Sequence, residues 1–194
     1  MTFTDGQLLL IPGFVALIPA VPIALWIWWS HADDERRRLM ALLALVHITA
    51  VVALTIFTIP IAGQDYYRQT RGMSEDTIVP FATIVSQLGH PSLSSARQLI
   101  GNMLALVPLG IYAPALWPSL RDPRRFVAVA VAFAVGIELC QYAGSVLEGF
   151  TYRVTDVDDA IMNATGAVLA FFAWRRLEMR PPFSERLDRP PSGG

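Results

Sequence analysis

Lysine is absent from this 194-residue chain, cysteine occurs once and asparagine only twice. The fifteen basic residues are therefore all arginines, a compositional bias without mechanistic weight of its own. A lone cysteine, Cys140, excludes an intrachain disulfide and a multi-thiolate metal site, and its place in an apolar run reads as a small buried hydrophobe. Charge is scarce too: 16% of residues are charged, where a soluble domain has about 25%. There is no glycine-rich phosphate loop, nucleophile elbow, paired-histidine zinc motif or basic stripe for nucleic acid. With 54% hydrophobic residues and a mean hydropathy of +0.45, the class that remains is a membrane protein.

Five apolar runs, 8–29, 39–61, 99–117, 126–146 and 157–174, each approach the roughly 20 residues a membrane helix needs. They predict an all-α, polytopic bundle of about five transmembrane helices in a single domain over 1–180. Pro12, Pro19 and Pro22 should bend or divide the first run. Its leader carries Asp5 and no basic residue, and no small-x-small cleavage pattern follows, so the run is expected to be a retained helix. Eleven arginines fall in one set of loops and four in the other, which places the N-terminus outside and the C-terminus in the cytoplasm. All five tryptophans lie at the cytoplasmic ends in that arrangement, as an interfacial belt does. The proline-rich segment 181–194 reads as a disordered cytoplasmic tail. Within the external stretch 62–97, residues 78–85 are too short to span and too apolar to float. They predict a re-entrant or interfacial helix able to act as a lid.

Polar residues sit where lipid tolerates them least. Asn102 and Asn163 lie in the third and fifth runs, and Glu138 and Gln141 in the fourth. At about 1.5 Å of rise per residue, all four fall roughly 5 to 12 Å inside the outer boundary. Glu138 and Gln141 are spaced i, i+3, and Asp159, Asn163 and Gly166 i, i+4, i+7, so each set occupies one helix face. Gly166 and Gly110 would let helices approach closely. Above the fifth run lie Arg153, Asp156, Asp158 and Asp159, and Asp156 or Asp158 is placed to cap that helix. Amides often only cross-link membrane helices, but a carboxylate deep in a span costs roughly 2.5 to 3.5 kcal/mol and points to a functional site. His47, alone in the second run, reads as a hydrogen-bonded core residue, and His31 and His90 as surface residues. Carboxylates suit magnesium or calcium, yet nothing in the spacing demands a cation, so neither metal nor cofactor is expected.

Val79-Pro80-Phe81-Ala82-Thr83-Ile84, Gly101-Asn102 with Pro108-Leu109-Gly110, Glu138-Leu139-Cys140-Gln141, Arg153, Asp156-Val157-Asp158-Asp159, Asn163 and Gly166 follow in that order. This ordered set resembles the VanZ-like family of bacterial membrane proteins over about residues 78–170. Val79 stands for the usual isoleucine, Ala105-Leu106-Val107 for a bulkier run, and 149–152 pad the approach to Arg153. The resemblance implies the bacterial cytoplasmic (inner) membrane and a role in glycopeptide resistance, chiefly to teicoplanin, or in envelope lipid or glycan metabolism.

Two readings of the site follow. In the first, a non-enzymatic protein binds a membrane lipid, a lipid-linked cell-wall precursor or the glycopeptide antibiotic itself in an outward-facing polar pocket. Asn102, Glu138, Gln141, Arg153, Asp156, Asp158, Asp159 and Asn163 form that pocket, Arg153 meeting an anionic head group and Pro80 and Phe81 covering the acyl part. In the second, an intramembrane hydrolase or transferase uses Glu138 as general acid or base on a lipid-linked substrate.

Overall fold

The run carrying Asp158, Asp159 and Asn163 becomes the helix that every neighbour packs against. In the computed structural model, which describes residues 9–10, 13–31, 34–56, 60–62, 76–148 and 154–178, seven α-helices are present among the described residues. They are α1 (Leu17–Ser30), α2 (Glu35–Val51), α3 (Ala82–Gly89), α4 (Leu93–Ala105), α5 (Val107–Leu116), α6 (Pro123–Glu148) and α7 (Val157–Glu178). Helix α7 contacts α3, α4, α5 and α6. A helix enclosed in this way can carry polar side chains that lipid would not accept. Tail residues 181–194 and Arg153 lie outside the described residues.

Three helical stretches are long and apolar enough to cross a membrane: Glu35–Thr55, Leu93–Leu116 and Pro123–Leu147. In the first apolar run a short strand at Leu9–Leu10 and a 3-10 turn over Gly13–Ala16 precede α1, which contains Pro22 and packs on α2. Helix α2 starts earlier than its hydropathy predicts, because Asp34 caps it by accepting the Arg37 N–H at 2.9 Å. It widens into a π-helical stretch over Val52–Ile56, and Pro60–Ala62 then pairs antiparallel with Leu9–Leu10 instead of continuing the helix. A proline, lacking the N–H, ends the ladder there.

The third run is divided. Leu106 leaves helical geometry (φ −107°, ψ 8°), and Pro108 takes the second position of α5, where no N–H is needed. Leu109 N–H then bonds Leu106 O at 3.1 Å, leaving Ala105 O without its usual partner. His47 from α2 fills the gap with a 2.7 Å contact from Nε2. A carbonyl only accepts, so Nε2 carries the proton, and neutral Nδ1 accepts from Tyr112 Oη at 3.1 Å. His47 is thus the buried, bonded residue the sequence suggests, and its task is to hold a break in the next span.

Core packing centres on α5, α6 and α7, with Leu106, Leu109, Tyr112, Phe126, Ala130, Ala134, Ala167 and Phe171 buried. Phe126 and Phe171 stack with centroids 4.3 Å apart. Glycines set the approach of α7. A Cβ on Gly166 would lie 1.7 Å from Met103 O of α4, and one on Gly110 would lie 2.4 Å from Ala167 O. Backbones touch at both points, as small residues allow in a membrane bundle. Many large apolar side chains, among them Trp29, Val46, Leu104 and Leu139, face outward. Cys140 corrects the sequence reading: it is exposed on this outer surface of α6, not buried. A cysteine in an apolar run is compatible with either face, and here the inward positions go to Ile137 and Glu138.

Candidate functional site

The N-terminus of α7 gathers its polar groups from three directions. Asp156 stands at the N-cap, where its Oδ1 accepts the Asp158 N–H at 2.9 Å and its backbone O accepts Asp159 N–H at 3.1 Å. Its own N–H donates to Glu138 Oε2 of α6 at 3.1 Å. Glu138 is 7% exposed and Asp156 5%, so this bond closes one side of the cluster away from solvent. A carboxylate facing the positive end of a helix is also favoured by the helix dipole.

Asp158 is fully buried and turns the other way. Its Oδ1 accepts the Phe81 N–H at 2.5 Å and its Oδ2 the Ile84 N–H at 3.0 Å. Those donors are the N-cap and third residue of α3, whose own N-cap side chain, a phenylalanine, accepts nothing. Asp158 therefore caps α3 from another helix. Phe81 adopts φ 67°, a left-handed conformation costing a bulky residue about 1 to 2 kcal/mol, and the carboxylate is what holds it there. A short parallel bridge reinforces the joint: Thr77 N–H donates to Thr155 O at 2.9 Å, Val157 N–H to Thr77 O at 3.0 Å, and Thr155 N–H to Asp76 Oδ1 at 2.8 Å. The α3 helix starts at Ala82, four residues later than the apolar segment that foretold it, because Pro80 and left-handed Phe81 turn the chain first. Ile78, Val79, Phe81, Val85 and Leu88 remain exposed, which gives this segment the apolar surface of an interfacial helix.

On the third side, Asn102 of α4 donates from Nδ2 to Asp159 Oδ1, and the Gln98 side chain bonds the same carboxylate. Asn163, one turn further along α7, is 4% exposed, and its Oδ1 has no hydrogen-bond partner. Glu138 and Asp159 meet through Asp156, whose N–H donates to Glu138 and whose backbone O accepts the Asp159 N–H. Glu138, Asp156, Asp159 and Asn102 are thus brought together from α4, α6 and α7, with Asp158 alongside. Gln141 goes elsewhere: its Nε2 donates to Thr55 O in the π-helical stretch at 3.3 Å, joining α6 to α2. Among the described residues, no three His, Cys, Asp or Glu side chains are arranged to hold a metal ion. Gln98 was missed in the sequence although it precedes Asn102 by four residues on the same helix face. Asp76, Thr77 and Thr155 act through backbone bridging, which spacing does not reveal.

Residues 44–178 match the VanZ/LLP1 family. This chain belongs to the VanZ/LLP1 family. The match runs from α2 to the end of α7 and so contains each side chain described above, as well as His47 and Tyr112. No curated protein and no solved structure matches the chain. In this VanZ/LLP1 protein the polar residues at the α7 start divide by task. Asp156 and Asp158 are occupied in capping two helices, whereas Glu138, Asp159 and Asn163 retain acceptor capacity within the first two turns of α7 and the facing stretch of α6.

Proposed function

We propose that this VanZ/LLP1 protein binds an amphiphile, a membrane lipid or a lipid-linked cell-wall precursor, in an outward-facing polar pocket. Through that binding it contributes to glycopeptide resistance or cell-envelope homeostasis. One observation supports the reading: at the start of α7, Asn102 of α4 donates to Asp159, the Asp156 N–H donates to Glu138 of α6, and Asp158 holds the first turn of α3. Arg153, at the approach to α7 in sequence, pairs the anionic part of the ligand, and Pro80 and Phe81 cover its acyl part. The chain crosses the bacterial inner membrane about five times as one domain, with the N-terminus outside. The eleven-to-four distribution of arginines supports that orientation.

The test is incubation of the purified protein, reconstituted in lipid, with labelled lipid-linked precursor or phospholipid. Binding predicts an unchanged substrate that protects the wild-type protein against heat, with protection lost in Glu138→Gln and retained in Cys140→Ala. Product beyond one equivalent per protein would replace this reading with the intramembrane enzyme that uses Glu138 as general acid or base. Absence of both protection and product removes the pocket altogether.

A further inference from the structure

Around the two carboxylates of the cluster, the donors that reach them are already committed, while acceptor capacity is left over; of the buried polar atoms without a partner here, Thr155 Oγ1 is on the far side of Asp156 in sequence and Asn163 Oδ1 is an acceptor. Asn102 Nδ2 and the Gln98 side chain are engaged by Asp159, and the Asp156 N–H by Glu138. The N–H groups at the start of α3 and α7 are taken by Asp158 and Asp156. On the acceptor side stand the Glu138 carboxylate, bonded to the Asp156 backbone, the Asp159 carboxylate, held by Asn102 at the α7 start, and Asn163 Oδ1, buried and unpaired. Asn163 lies on the stripe of α7 that faces α4. Asp159 one turn before it bonds Asn102, and Gly166 three residues after it meets Met103. Its free oxygen therefore points into the same α4–α7 seam. The ion pair described in this chain, Arg36 with Glu178, is at the far end of α7 and cannot neutralise the cluster.

A buried acceptor without a donor normally forfeits about 1 to 3 kcal/mol, so natural proteins keep few of them. From that imbalance, and building on the pocket reading above, we infer that the ligand presents a primary ammonium group. Its three N–H donors are shared among Glu138, Asp159 and Asn163 Oδ1. An ammonium matches three acceptors in number and is opposite in sign to the carboxylates. A choline group has the same charge and no N–H, and would leave Asn163 Oδ1 unpaired. A glycerol head group has hydroxyl donors but no positive charge. The ammonium comes either from an ethanolamine lipid head group or from a free amine.

Native mass spectrometry of the full chain released from detergent separates these cases. Phosphatidylethanolamine, phosphatidylcholine and phosphatidylglycerol with identical acyl chains are titrated in turn, with free 2-aminoethanol as competitor. The ethanolamine lipid is expected to bind at least about tenfold more tightly than the choline lipid, the size of one charge-assisted hydrogen bond. That preference should vanish in Asn163→Ala and in Glu138→Gln and persist in Thr165→Ala, on the exposed face of α7. Asn163→Ala removes a group with no partner, so it folds as the parent does. Competition by 2-aminoethanol identifies the amine alone as sufficient, and its failure assigns recognition to the lipid. Equal binding of all three lipids, still weakened by Glu138→Gln, would overturn the ammonium inference and leave the pocket standing. Lipid binding indifferent to both site variants would overturn both.

Discussion

Removing the Asp158 carboxylate should release α3 from α7 without unfolding the bundle. In Asp158→Ala the N–H groups of Phe81 and Ile84 lose a charged acceptor. Charge-assisted bonds of this kind contribute about 1.5 to 3 kcal/mol each, and water, which can reach the exposed Phe81, recovers part of that. The left-handed turn at Phe81 loses its support as well. A net loss of about 2 to 4 kcal/mol in the local opening free energy follows, the upper end exceeding that of an ordinary helix cap. Hydrogen exchange in lipid nanodiscs measures this directly: the amides of residues 81–84 should exchange roughly 30-fold to several-hundred-fold faster, while those in the middle of α6 stay at parental rates. Asp158→Asn should fall between, since its oxygen accepts one N–H and its amide repels the other. Parental exchange at 81–84 in Asp158→Ala would refute the capping role, and with it the idea that the α3 segment is fixed to the site.

Three further outcomes follow. Gly166→Ala should lower the melting temperature sharply because its Cβ would overlap Met103 O, an overpacking penalty of about 3 kcal/mol or more, while Gly136→Ala, with nothing within 4 Å, should be neutral or slightly stabilising. His47→Ala leaves Ala105 O unpaired and should destabilise by about 1 to 3 kcal/mol; Tyr112→Phe, which keeps that bond, should lose about 1 kcal/mol or less, and equal losses would disprove the assignment. Asn163→Ala should leave ligand-free stability unchanged or raised, whereas Asn102→Ala should reduce it by about 1 to 2 kcal/mol, both read from thermal unfolding in detergent.

How much of this was legible in the sequence depended on whether the signal was local. The helical class, the membrane character and the family were readable because hydropathy and motif order are properties of consecutive residues. The i, i+4, i+7 spacing of Asp159, Asn163 and Gly166 placed them on one face of α7, and the position of the aspartates offered Asp156 or Asp158 as its cap, of which Asp156 takes the role. Asp158 was harder. Nothing near it announces that its partners are the amides of Phe81 and Ile84, 74 or more residues away, so Asp156 and Asp158, which cap different helices, looked like one cluster. Gln141 misled for the opposite reason: it shares a helix face with Glu138, but the π-helical widening of α2 offers a carbonyl at Thr55 that captures it. The break at Leu106 required knowing both that Pro108 withholds an N–H and that a histidine in another helix takes the freed carbonyl.

Helix α7 shows why the polar residues fall where they do. A polar side chain facing lipid is disfavoured, so polarity concentrates on the packed side of the helix with most neighbours, and α7 is packed on by α3 to α6 while its Thr165, Leu169 and Phe172 face stays exposed. Enclosure of that side in turn requires close packing, and Gly110 and Gly166 supply it by letting the backbones of α5 and α4 meet α7. Close packing on two sides leaves little room for side chains to reorient, which is why each carboxylate at the α7 start can be fixed to a separate role. Two of them complete helix ends, and the remaining acceptors, with the unpaired oxygen of Asn163, confront whatever enters between α4, α6 and α7. A fold built only for stability would have placed an apolar residue at position 163, since that change removes an unmet acceptor at no loss of bonding. The asparagine is therefore better explained by a ligand than by the bundle.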